Sequence, residues 1–225
     1  MTHVNKEQII KKWNKNENKF QSISDELTYN FGGIWPTEGF LFCSIAEVLE
    51  VDLVIESGMA YGVSTEIWAG FFDCPVISID LNHLYGAWEE TKERLQSKHK
   101  NLICYLGDGK ILVEKYIQEN PGKRIAVFMD GPKGLGAKKM MDELTAKYKE
   151  IKMVGYHDFY QNKFRECYNP NDMQGFWSHS LDFINDKYVY LNAPPLEYGK
   201  DQIKWAANNG PGIFVEPITD NLNQA

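Results

Sequence analysis

From about residue 50 onward, short apolar runs alternate with longer amphipathic stretches, and few folds accept that pattern. DLVIES (52–57), PVISID (75–80), NLICYLG (101–107), RIAVFMD (124–130) and IKMVGYHD (151–158) are rich in Val and Ile and almost continuous in apolarity. A strand covered on one face alternates in polarity, whereas a strand covered on both does not, so these runs read as buried parallel strands. Between them, STEIWAGFF, LYGAWEETKERLQSK, KILVEKYIQEN and GAKKMMDELTAKYKE carry helical spacing. The first begins at a Ser64 or Thr65 cap, and Pro121–Gly122 stop the third. Strand and helix in alternation imply right-handed crossovers and one parallel sheet with helices on both faces.

The flanks add to this core. Two helices are expected at about 5–17 and 38–49, the second capped by Thr37 of WPT. GFWSHSLDFIND reads as helical, and KYVYLNAP and GIFVEP read as two more strands. The expected fold class is α/β: a doubly wound, mostly parallel seven-stranded sheet whose last strand is antiparallel. The chain is expected to form a single domain over 1–225, with an N-terminal helical cap (1–49), a ligand-binding core (50–158) and a substrate-side loop with the final strands (159–225). The polar, aromatic stretch YQNKFRECYNPNDMQ (160–174) is expected to lie over the carboxyl ends of the strands, where open α/β sheets bind ligands.

Charge and cysteine usage exclude some functions. Lys and Arg total 24 against 31 Asp and Glu, a formal net charge of −7, which disfavours general binding to nucleic acid or an anionic membrane. The four cysteines, Cys43, Cys74, Cys104 and Cys167, form no CxxC pair, so they read as free thiols of a reducing cytoplasm rather than a zinc site. The polar start MTHVNKEQIIKKWNKNENKF is no secretory signal, and Glu47, Glu50 and Asp52 interrupt the most apolar stretch. A cytoplasmic protein is expected, with a homodimer left open.

The densest chemical signal is LVIESGMAYGVST (53–65). Gly58 follows the strand directly, where the chain turns sharply and a ligand approaches its backbone. Gly62 falls where the next helix packs against the sheet, and Ser64 and Thr65 can satisfy free amides at its start. Glu56 at the strand tip attracts a cation, and the spacing E-x-G-x-x-x-G differs from the G-x-G-x-x-G of nicotinamide enzymes. It suits a ligand carrying an ammonium and a sulfonium. The next strand ends in Asp80, placed to accept hydrogen bonds from ribose hydroxyls. The third ends in GDG, which sets Asp108 and Gly109 beside an adenine edge.

ESGMAYGVST, followed by SID and LGDG, resembles the cofactor half of class I S-adenosylmethionine-dependent methyltransferases. Within that class it is closest to O-methyltransferases of the catechol and caffeoyl-CoA type, and it is also similar to the cephalosporin hydroxylase and rhamnosyl O-methyltransferase group. The resemblance covers roughly residues 50–160 and implies a Rossmann-like fold. It implies that Glu56 and the Gly58 backbone face the methionine part of S-adenosylmethionine, with Tyr61, Gly62 and Ser64 in the same loop. It further implies that Asp80 faces the ribose, and Asp108 with Gly109 the adenine.

A second constellation lies at the tips of the fourth and fifth strands. MDGPKG (129–134) carries Asp130 and Lys133, and YHDFY (156–160) carries His157 and Asp158. Neighbouring strand ends bring Asp130 and Asp158 together, and two carboxylates plus water suit Mg²⁺. In the catechol-type enzymes the strand-four acid binds the metal and a lysine three residues on is the base. The resemblance therefore implies catalytic Asp130 and Lys133. The family's Asn after the second acid is Phe159 here, and His157 is the substitute metal ligand considered. Lys133, Lys138 and Lys139 are expected to form a basic patch. Trp35, Pro36 and Glu38 are candidates for closing over the cofactor, and Tyr156, Tyr160, Tyr168, Phe176 and Trp177 for stacking on a sugar or aromatic ring. The expected activity is O-methylation of a small-molecule or saccharide hydroxyl, with Mg²⁺ assistance left open. A nucleotide-sugar or NAD enzyme and a non-catalytic nucleotide-binding module on the same sheet remain the alternatives.

Overall fold

The computed structural model describes residues 4–27, 33–81, 88–157, 175–177 and 213–218. Five parallel strands form the centre: β1 (Leu53–Ser57), β2 (Val76–Asp80), β3 (Leu102–Leu106), β4 (Ile125–Met129) and β5 (Ile151–Tyr156). Each matches an expected apolar run to within two residues. The short β6 (Phe176–Trp177) and β7 (Phe214–Pro217) complete a seven-stranded sheet of order β3-β2-β1-β4-β5-β7-β6, with β7 antiparallel to both neighbours. The five parallel strands and the reversed last strand are as expected, but β6 is not the sixth strand that was expected. The expected helix across GFWSHSLDFIND is corrected at its start, because Phe176 and Trp177 pair with Val215 and Phe214 as strand. The run KYVYLNAP lies outside the described residues.

Strand periodicity divides the core. Val54 and Glu56 point to one face of β1, and Leu53, Ile55 and Ser57 to the other. Below the first face pack α3 (Pro36–Val48), α4 (Val63–Phe71) and α5 (Trp88–Lys98), in a cluster containing Phe42, Trp68, Leu95 and Phe128. The second face is covered by α6 (Gly109–Gln118) and α7 (Leu135–Lys147) through Val113, Ile117, Met141 and Leu144.

The N-terminal region differs from expectation in three ways. First, it holds two helices before α3, namely α1 (Lys6–Lys15) and α2 (Glu17–Glu26). The second escaped notice because Phe20 is its one buried residue and leaves no apolar stripe. Second, α3 starts at Pro36 with Trp35 at its N-cap, and Thr37 is buried inside the helix. Third, α3 is a core layer rather than a lid: every residue from Pro36 to Val48 except Glu47 is buried. Burying one side chain of Leu or Phe size contributes roughly 1.5–3 kcal/mol, so this helix is among the main contributors to stability. Glu38 accepts the Trp35 N–H at 2.8 Å and serves the helix start instead of covering a ligand.

Lys138 also departs from the expected basic patch. Its side chain is 9% exposed, bonds Asp142 one turn on, and lies 3.3 Å from Glu216 of β7. It fastens the reversed strand to α7, whereas Lys139 is exposed. Lys138→Met should leave Glu216 half-buried without its cation and lower stability by about 1–2 kcal/mol. Urea denaturation measures this, with Lys139→Met expected to change stability by less than about 0.5 kcal/mol.

Candidate active site

The strand order reverses between β1 and β4, and in open α/β sheets the crevice beyond the strands' carboxyl ends at such a switch point is where ligands bind. Gly58, Asp80, Asp108 and Asp130 stand at the carboxyl ends of β1 to β4, with Glu56 just beneath them.

Glu56 is beneath it. Its carboxylate is fully buried under α4 and ringed by neutral donors: Thr65 Oγ1, Ser78 Oγ at 2.6 Å and Trp68 Nε1 at 3.0 Å, with Ser64 also bonding. The expectation of an acid held out to a ligand cation is therefore corrected, because alternation in β1 turns this side chain toward the helix layer. The roles of Ser64 and Thr65 change with it. The N-cap of α4 is Gly62, no side chain caps the helix, and both hydroxyls turn inward to Glu56. Burial pushes the Glu56 carboxyl up to about 7, against the pull of its hydroxyl and indole donors.

The loop above it is wound tightly. Gly58, Ala60 and Gly62 have φ of 104°, 46° and 81°. A Cβ at Gly58 would lie 2.7 Å from the Gly131 nitrogen and 2.8 Å from the Asp130 carbonyl carbon. The small residue is thus required by the neighbouring turn as well as by its own φ. At Gly62 a Cβ would meet Leu95 at 2.5 Å, so the close packing expected there is against α5. The Ala60 N–H donates to Asp80 at 2.8 Å, and Arg94 donates to the Tyr61 carbonyl at 3.0 Å. Arg94 is itself held at 2.7 Å by the buried Glu66, which also pairs with Lys98 at 2.7 Å. The result is a fixed loop leading into a helix N-terminus that no side chain caps, an arrangement that favours an anionic group.

Asp80 and Asp108 both stand at the rim. Asp80 holds the loop, and Asp108 is exposed and caps α6 through the Lys110 N–H at 2.9 Å. Leu81 and Leu106, 52% and 54% exposed, flank Asp80, whose sheet partner is Leu106. Gly109 is buried against β1: a Cβ there would fall 1.9 Å from Ser57 Oγ. Its expected place beside a ligand becomes a packing role.

At the tips of β4 and β5, Asp130 Oδ1 receives Lys133 Nζ and His157 Nδ1, each at 2.9 Å. Burial alone would raise the Asp130 carboxyl, but His157 and Lys133 outweigh it and hold it below the usual carboxylate range. Asp158, Tyr160 and Tyr168 lie outside the described residues. Among the described residues no group of three or more His, Cys, Asp or Glu side chains could hold a metal ion. His157 aims its ring nitrogen at the Asp130 oxygen, not at a shared cation, and Lys133 supplies positive charge to the same oxygen. Among the described residues Asp130 therefore stands with His157 and Lys133, and Asp158, the other half of the expected carboxylate pair, lies outside them. Of the expected stacking residues, Tyr156 is a core residue stacked on Phe214, and Phe176 packs against the core.

Sequence reading missed three residues of this site. Ser57, Ser78 and Arg94 each hold a candidate residue in place. Ser78 carried a signal, since it puts a hydroxyl in a strand between the buried Ile77 and Ile79, whereas Ser57, between Glu56 and Gly58, looked like part of the loop motif. Arg94 carried none, because one charge on a polar helix face is unremarked.

No family model and no curated protein sequence matches the chain. Some solved structures are similar to it. An O-methyltransferase from Bacillus cereus in complex with SAH is 11% identical, with 89% of this chain and 91% of that one covered and a TM-score of 0.49. A methyltransferase from Geobacter sulfurreducens is 9% identical over 97% and 93%, with a TM-score of 0.49. The O-methyltransferase TomG from Streptomyces achromogenes, in complex with SAM, is 13% identical over 70% and 67%, with a TM-score of 0.43. Among the described residues no helix is long and apolar enough to cross a membrane.

Proposed function

We propose that this chain is an S-adenosylmethionine-dependent methyltransferase acting on a hydroxyl of a small molecule or saccharide. The observation that carries the reading is the tight Gly58–Gly62 loop, which joins a helix start without a side-chain cap to Asp80 at the point where strand order reverses. The α4 N-terminus suits the carboxylate of an amino-acid moiety. Asp80 suits a ribose diol, and Asp108 with the apolar Leu81 and Leu106 suits a flat purine.

When bound, the cofactor supplies an electrophilic methyl group on a sulfonium. The chain's residues orient and deprotonate. Asp130, held by the β4 turn and by His157, fixes the Lys133 amine at the mouth of the crevice. Lys133 Nζ, after releasing its own proton to water, would accept the proton of the substrate hydroxyl, and the bound cofactor would supply the methyl group that the oxygen takes. Orientation is the main source of rate here, because well-placed groups supply roughly 7–11 kcal/mol.

Calorimetric titration with S-adenosylhomocysteine, NAD and a nucleotide-sugar tests the reading. Binding of the first alone is expected, and Asp80→Ala should weaken it by about tenfold, or about 1.4 kcal/mol. Absence of binding at millimolar S-adenosylhomocysteine, or equal binding of NAD, would overturn it.

A further inference from the structure

Ser57 ends β1 and is 2% exposed. It continues the face on which Leu53 and Ile55 are buried, where an apolar side chain would satisfy packing. A hydroxyl at such a place must find a partner, and this one donates to the Gly131 carbonyl. The Ser57 carbonyl in turn accepts the N–H groups of both Asp130 and Gly131 at 2.8 Å. The start of α6 rests on the same side chain, at Gly109. The next residue, Gly58, packs its backbone directly on Asp130 and Gly131. Three strand-end loops, each with a nominated site residue, thus meet at one serine. Gly58 opens the cofactor loop, Gly109 opens α6, and Asp130 leads to Lys133.

We propose that Ser57 is a positioning residue: its hydroxyl locks the Asp130–Lys133 turn to the Gly58–Gly62 loop, so that occupancy of the cofactor site is felt at Asp130 and Lys133. The inference rests on the cofactor reading above and adds a mechanical link that the reading does not require. Two backbone bonds alone would hold the turn to β1. The hydroxyl bond adds a third constraint on Gly131, and this fixes the orientation of the peptide that separates Asp130 from Lys133.

The test is a nuclear magnetic resonance titration of wild type and Ser57→Ala with S-adenosylhomocysteine. It follows the amides of Gly58, Gly62, Gly131 and Lys133 and the Nδ1 nitrogen of His157. In wild type all five should shift along one saturation curve. In Ser57→Ala the Gly58 and Gly62 shifts should persist with Kd changed by less than about threefold. The shifts at Gly131, Lys133 and His157 should be lost. Undiminished shifts at those three would overturn the inference and leave the cofactor reading intact. Absence of any shift in wild type would remove both. Amide exchange in wild type keeps the idea falsifiable if the variant does not fold: ligand should slow exchange at Asp130 and Gly131, and unchanged exchange there overturns the link.

Discussion

Gly58→Ala should abolish S-adenosylhomocysteine binding and lower stability by about 2–4 kcal/mol. Two independent penalties combine. At φ 104° an alanine is held in a region that L side chains rarely adopt. Its methyl would also lie 2.7 Å and 2.8 Å from backbone atoms of Gly131 and Asp130, which cannot swing aside as a side chain could. Relief requires the β1 and β4 loops to separate, which opens the crevice where the ligand is proposed to sit. Gly122→Ala is the matched control. That residue has φ 78° and no atom within 4 Å of an added Cβ, so backbone strain acts alone. It should lose about 1 kcal/mol and leave binding unchanged. Urea denaturation and calorimetry on both variants separate strain from collision, and wild-type binding by Gly58→Ala would refute the placement of the loop at the site.

Glu56→Gln should remove a pH dependence of stability on the order of 3 kcal/mol. The carboxyl titrates at about 7 when folded, against an ordinary 4.5. Between those values the folded chain holds a proton that the unfolded chain has released. Stability from this group is therefore full below about 4.5, falls as pH rises to about 7, and is flat above that. Glutamine can keep the network: its carbonyl accepts from Trp68, and its amide donates to Thr65 and Ser78, whose hydroxyls reverse. The variant should equal or exceed wild type at pH 8 and lose its advantage near pH 5. Asp130 acts oppositely and elsewhere. Its depressed carboxyl contributes stability above about 3.8 that is lost in stronger acid. Parallel wild-type and variant stability curves from pH 5 to pH 8 would show that Glu56 is ionised throughout.

The sheet was legible because buried parallel strands write their environment directly into composition. Five runs of Val and Ile could be neither helix surface nor loop. The loops were legible in outline, since glycines after strands mark sharp turns whatever their cause. What could not be read was direction. Glu56 and Ser57 are adjacent and point to opposite faces, so a motif that lists both says nothing about which one meets a ligand. The inward turn of Ser64 and Thr65 follows from the buried carboxylate opposite them, a contact between separate elements. Lys138 looked like its neighbour Lys139 because one helical position, not residue type, decides which of the two meets Glu216. His157 was weighed as a ligand although its partner was already in view as Asp130; the pairing of β4 with β5 was foreseen, but not the register that joins the two side chains.

The aromatic stack linking the first helices to the rest has a consequence for synthesis. Phe20 stacks on Phe40 at 4.3 Å and on Phe71 at 5.1 Å, and Trp13 meets Phe20 at 5.3 Å. Phe71 is made last of these, at the end of α4, and Phe128 of the same cluster is made later still. On the ribosome α1, α2 and α3 therefore emerge with apolar faces before the sheet that covers them. A nascent chain stalled so that α3 has just left the ribosome should recruit a holdase, and one stalled after β4 has left it should release the holdase.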